Sequence, residues 1–213
     1  MSANRIAIDF FADVSCPWCY VGWEALKRAA EARPGLSVSL AWRNFLLNPD
    51  MPRDGYDARD YFQKRFDPEK LRAIHDALLR AADAAGVPLN LEKRTRIPNT
   101  IDAHRVIHWA AGQGVAEAAI DAIFAAHWVD GRDIGEAAVL VDIARQIDLD
   151  PELVAELLAG EADRDVIAAL HAKAVQFGIG GVPVVILNGK ALVMGAETPE
   201  KYGRALDAAG APQ

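Results

Sequence analysis

Two cysteines are all that 213 residues contain, and that scarcity excludes a disulfide scaffold, which needs several bridges to hold a fold together. Long apolar runs are missing as well. No stretch approaches the ~20 apolar residues of a membrane span, and the opening MSANRIAIDFFADVSCPWC has one Arg and only a strand-length apolar run, unlike a secretory leader. Positive charge is in deficit, since 23 Lys and Arg face 30 Asp and Glu for a formal net charge of −7. That balance excludes nucleic acid and anionic membrane as general partners, because both require a basic footprint. The expected location is the cytoplasm. What is there is an ordinary globular composition, 52% hydrophobic and 25% charged, long enough for one large domain or for a core domain carrying an insertion.

The chain reads as strand, helix and strand at its start. Arg5 to Asp13 is rich in Ile and Phe and suits a buried strand, the run from Pro17 places Trp23, Leu26 and Ala30 at helical spacing, and Leu36 to Pro49 alternates at Leu36, Val38, Leu40 and Trp42. This is a βαβ unit, which favours parallel strands. More than a hundred residues of Ala- and Leu-rich helical spacing follow, in stretches 57–86, 99–114, 115–131, 136–148, 151–160 and 161–178, punctuated by Gly and Pro. Strands return in VPVVILNGKALVMG around Asn188-Gly189, a two-residue hairpin signal, and Thr198-Pro199 reads as the cap and first residue of a closing helix. The expected organisation is a core of residues 1–52 and 178–213 interrupted by a helical insertion of residues 53–177.

In that frame both cysteines fall at the strand-to-helix junction, in DVSCPWCYVG. Backbone N–H groups at a helix start stabilise an anion, so Cys16 is the expected nucleophile, and Cys19, one turn along and more shielded, is the thiol placed to resolve a mixed disulfide. Pro17 suits the first helical position because it has no N–H to leave unpaired. Two other readings stand beside this one: buried small apolar residues without chemistry, and zinc, for which His104 and His108 would share a helical face but lack the spacing of a zinc motif. Asp13, or Asp9 on the same strand, could take the proton of the shielded thiol; a turn or cap role for Asp13 is the simpler expectation. Far down the chain, GIGGVPVVIL puts Pro183 at the start of a strand, where a cis peptide or an ordinary edge proline both fit.

The Cys-Pro-Trp-Cys motif after the first strand, the helical stretch after the second and the late GVP resemble the DsbA-like oxidoreductases of the thioredoxin superfamily. DFFADVSCPWCYVG, LNPD, NTIDAHRVIHWA and GVPVVILNGK with the later GA resemble their FrnE-type cytoplasmic branch. The resemblance implies an α/β thioredoxin-like fold with a large all-helical insertion, thiol-disulfide exchange without metal or organic cofactor, and a cis-proline loop at Val182 and Pro183 that faces the thiols and holds the substrate backbone. Trp18 stands where a histidine is familiar in the periplasmic enzymes. An indole is a neutral donor and cannot carry charge beside a thiolate, so a less oxidising disulfide is expected; Trp18 is equally suited to meet a partner or to pack.

Two further activities fit the same outline. Kappa-class glutathione transferases and 2-hydroxychromene-2-carboxylate isomerases have a similar fold and carry serine at the position of Cys16, so the cysteine pair counts against that role, although glutathione remains a possible co-substrate and Glu197 falls loosely where their ligand-contacting acid would. The other is a chaperone or binding module with the cysteines as a redox switch. Phe124, His127, Trp109 and Trp128 could line a groove for it, but their helical spacing reads better as bundle core. The expected partner is a thiol or disulfide, peptide or small molecule, and a homodimer is compatible with the sequence.

Overall fold

The computed structural model describes residues 5–211. It opens with β1 (Arg5–Ala12), α1 (Pro17–Glu31) and β2 (Ser37–Asn44). Then come β3 (Tyr56–Asp57), α2 (Ala58–Arg65), α3 (Pro68–Ala84), β4 (Arg96–Ile97) and α4 (Ile101–Gly112), followed by α5 (Ala116–Trp128), α6 (Ala137–Gln146), α7 (Pro151–Ala159) and α8 (Arg164–Gln176). The chain closes with β5 (Val184–Leu187), β6 (Ala191–Met194) and α9 (Pro199–Ala209).

Alternation makes β1 a strand: Ile6, Ile8, Phe10 and Ala12 all point into the core and are fully buried. It pairs parallel to β2, from Arg5 opposite Ser37 to Ala12 opposite Asn44, as a right-handed βαβ crossover favours. On its other side it pairs antiparallel with β5, and β5 with β6, giving the sheet order β2-β1-β5-β6. The β5–β6 turn has Asn188 at φ 52° and Gly189 at φ 67°, the left-handed pair that a two-residue hairpin of this type requires. Asn188 also clasps its surroundings, accepting from Ala7 N at 2.9 Å and donating to Ala209 O at 3.2 Å.

The helical stretch is not separate from the sheet. One buried apolar cluster takes in Phe10 of β1, Trp23 of α1, Phe124 of α5, Ile143 of α6, Leu187 of β5 and Leu206 of α9. Trp42 of β2 joins it, its ring 6.0 Å from those of Phe10 and Trp23 and 5.9 Å from that of Phe124. The thioredoxin-like α/β arrangement with a helical insertion is therefore the fold. Two details differ from the sequence reading. Residues 57–86 form two helices, because Phe66 is extended and Asp67 caps α3 by accepting from Glu69 N and Lys70 N ahead of Pro68. The two-residue strands β3 and β4 form a second small sheet, too short to leave an alternation in the sequence.

Candidate active site

Cys16 is the N-cap of α1 and Pro17 its first residue, with Cys19 N and Tyr20 N bonded to Cys16 O at 3.0 and 3.2 Å. The junction thus places one thiol at the helix mouth and the other inside the first turn. Both are free thiols, Cys16 nearly buried and Cys19 completely so. Burial pushes the Cys19 thiol well above its ordinary range, and the adjacent Cys16 and the Asp13 charge push it further. Cys16 Sγ lies 3.8 Å from Val182 O, to which it donates.

Val182–Pro183 is a cis peptide. Pro183 is held across the site from α1 because Pro183 O accepts from Gly195 N at 2.9 Å, while Gly195 O accepts from the Tyr202 hydroxyl of α9 at 3.3 Å. Gly22 lets these parts approach. A Cβ there would sit 3.1 Å from the Tyr202 hydroxyl, 3.4 Å from the Pro183 ring and 3.5 Å from Ala196 Cα. A glycine inside a helix costs about 1 kcal/mol relative to Ala, so its presence already signals a close approach. Burial and the nearby Cys19 raise the Tyr202 hydroxyl above its ordinary range and keep it a neutral donor.

Behind the thiols, Asp13 is buried and gathers four donors. Its Oδ1 accepts from Ser15 N at 2.9 Å and Ser15 Oγ at 3.1 Å, and its Oδ2 from Leu47 N at 2.7 Å and Thr100 Oγ at 3.3 Å. His104 Nε2 stands 3.7 Å from Oδ1, and His104 Nδ1 accepts from Trp42 Nε1 at 3.3 Å. Since Nδ1 is an acceptor there, the neutral ring carries its proton on Nε2, facing the carboxylate. Burial alone would raise the Asp13 pKa, but His104 and the Ser15 and Leu47 amides outweigh it and lower it. Asp13 is a fixed anion that ties the 13–16 turn to the end of β2 and the start of α4. The turn role expected of it is present, and a carboxylate so fully bonded is a weak base toward Cys19.

The other candidates separate clearly. Pro17 and Trp18 are half-buried at the start of α1, Val182 meets Cys16 and Pro183 lies near Gly22, and Glu197 lies on the loop behind Gly195, ion-paired with Lys201 at 2.7 Å. Asp9 pairs with Arg43 at 2.6 Å and does not reach the thiols. His104 is buried beside Asp13, whereas His108 is exposed. Phe124, His127 and Trp128 are core, Trp128 donating to Val14 O at 2.9 Å, and Trp109 bonds Asp163 at 2.8 Å. Thr100, Tyr202 and Gly22 escaped the sequence reading. Only Gly22 carried a readable signal, because the other two acquire their place from partners remote in the chain.

A family model described as a DSBA-like thioredoxin domain matches residues 7–207. A structure described as a probable DsbA oxidoreductase from Streptomyces coelicolor is 30% identical, with 96% of this chain and 89% of that one covered at a TM-score of 0.86. The cytosolic disulfide reductase DsbM from Pseudomonas aeruginosa, solved with GSH, is 22% identical at a TM-score of 0.66 over 95% of this chain and 98% of its own. A 2-hydroxychromene-2-carboxylate isomerase shares the fold at 17% identity and a TM-score of 0.71, over 96% and 94% of the two chains. No curated protein sequence matches.

Proposed function

The chain belongs to the family of DsbA-like thioredoxin domains, and from that premise we propose that it is a thiol-disulfide oxidoreductase of the FrnE-type cytoplasmic branch, with Cys16 as nucleophile and Cys19 as resolving thiol. The observation that carries this reading is the position of Cys16 Sγ, at the start of α1 and 3.8 Å from Val182 O with Cys19 shielded behind it. In the reducing direction the Cys16 thiolate attacks one sulfur of a substrate disulfide. That S–S bond breaks, a Cys16–substrate bond forms, and the other sulfur leaves as a thiolate. Cys19 then attacks Cys16 Sγ, its proton ends on a released thiol, and the second substrate thiol departs as the Cys16–Cys19 disulfide closes. Two electrons pass from protein to substrate, and the reverse sequence oxidises.

The surrounding residues have distinct parts in this proposal. Asp13 opposes a second negative charge beside it, so Cys19 stays a thiol until the mixed disulfide removes the neighbouring Cys16 charge and makes Cys16 Sγ electrophilic. Val182 and Pro183 present backbone to the substrate, and Pro17 and Trp18 form the opposite lip. The substrate is a peptide or small disulfide, with no organic cofactor or metal taking part. Glutathione is the proposed reducing partner, a choice supported by the likeness to a cytosolic reductase solved with GSH. Residues 53–177 serve as the insertion that backs the site, and residues 1–52 and 178–213 as the redox core.

The test is equilibration in glutathione redox buffers, followed by tryptophan fluorescence, with Cys16→Ser as control. A reversible two-electron transition that disappears in the variant is expected. Absence of any transition in the wild-type protein defeats the proposal and favours glutathione transfer or a thiol-independent binding module.

A further inference from the structure

Arg94 lies outside the site described above and is unfinished. It is half-buried, its Nε is shut off from solvent and meets no acceptor, and it makes no hydrogen bond or ion pair with any described residue. Its guanidinium carbon sits over two aromatic rings, 5.0 Å from the Phe62 centroid and 4.8 Å from that of Trp128. Rings attract a cation but accept none of its N–H bonds in the manner of an oxygen, so they offset only part of the cost of taking the charge from water. Burial lowers the Arg94 pKa to about 10, which still leaves it charged near neutrality.

The same side chain lines a cavity of about 880 Å³ bounded by α2, the first turns of α3 and residues 91–95. Phe62, Phe66, Leu71 and Leu91 give it apolar wall, and His75, whose pKa burial and the Arg94 charge lower, adds a neutral ring. Asp57, Asp60 and Glu92 also border it, with Arg59 as a further cation. Those carboxylates lie beyond ion-pair reach of Arg94 and repel a multiply charged guest. The two terminal amino groups of a planar guanidinium, here bonded to no described residue, match one carboxylate in a two-point contact.

We propose that this cavity binds a singly charged organic carboxylate with an apolar body, its carboxylate taken by Arg94 and its body by Phe62, Phe66, Leu71 and Leu91. The site does not depend on the redox reading, since it contains neither thiol. It does adjoin the active-site turn, because Trp128 Nε1 donates to Val14 O two residues before Cys16.

The experiment is calorimetric titration of the full chain with 3-phenylpropionate, with inorganic phosphate as the competing probe, on wild-type protein and Arg94→Gln. Saturable one-to-one binding is expected, weakened at least tenfold by the substitution and not displaced by equimolar phosphate. The Arg94 Nε–H resonance of labelled wild-type protein should shift along the same titration curve, a readout that needs no variant. No saturable binding, equal affinity in Arg94→Gln, an unmoved Arg94 resonance, or tighter binding of phosphate would each overturn the proposal.

Discussion

Arg105 and Arg94 sit in the same helical region, and the protein treats them in opposite ways. Arg105 is fully buried, donates to Ala162 O and Leu157 O at 2.5 Å, to Gly160 O at 3.1 Å and to Asp102 Oδ1 at 2.7 Å, and stacks over Trp109 at 5.0 Å. It ties α4 to the α7–α8 connection. Arg94 has the aromatic neighbours and none of the oxygens. A buried cation whose donors end on the protein's own carbonyls and a carboxylate is a joint, and a half-buried one left without oxygens at the edge of a cavity is a receptor.

Substitution is the direct way to break that comparison. Arg105→Met strips three carbonyls of their donor and leaves Asp102 with Arg164 alone, so urea unfolding should show a loss of about 3–5 kcal/mol. Asp13→Asn comes next. An amide cannot accept from four donors, and its NH₂ would face N–H and O–H groups, so stability should fall by about 2–3 kcal/mol. Because the Asp13 pKa is lowered, its contribution is present above the ordinary value of 3.8 and fades as pH falls through the lower folded value.

His127 sharpens the picture through pH. Burial and the Arg94 charge hold it near pKa 3 against an ordinary 6.5, so between those values the unfolded chain binds a proton that the folded one refuses. Stability is then whole above pH 6.5 and declines as pH falls toward 3. His127→Leu should flatten that decline by about 1.4 kcal/mol per pH unit, read from unfolding midpoints across the range. Trp18→His has a smaller reach, raising the potential of the cysteine pair by on the order of 30 mV because a cationic ring then faces the Cys16 thiolate; an unchanged potential would remove Trp18 from the tuning of the pair. Smallest of all is Arg94→Gln, expected to alter stability by less than about 1 kcal/mol. A loss matching that of Arg105→Met would show that the two arginines do the same work.

What the sequence disclosed follows from how local each feature is. The βαβ start, the Asn188-Gly189 turn, the Thr198 cap and the Cys16-to-Cys19 junction are written within a few neighbouring residues, and each stands where its pattern places it. Even the break in 57–86 was written locally, as Asp67-Pro68, inside a run whose Ala and Leu content masks it. The Asp13 cluster was not legible, because Leu47, Thr100 and His104 become its partners only through the fold. Arg94 was equally hidden: a sequence of charges does not say which one will be left without a counterion. Residues 1–4 and 212–213 of the expected core lie outside the described residues.

The contact between Cys16 and Val182 joins residues 166 positions apart. On the ribosome the two thiols therefore emerge with the first strand and helix, and every helix from α2 to α8 is synthesised before the loop that faces them exists. Through most of its own translation the nascent chain carries the cysteine pair without the cis-proline loop that meets Cys16. The surroundings therefore meet these cysteines before the fold encloses them.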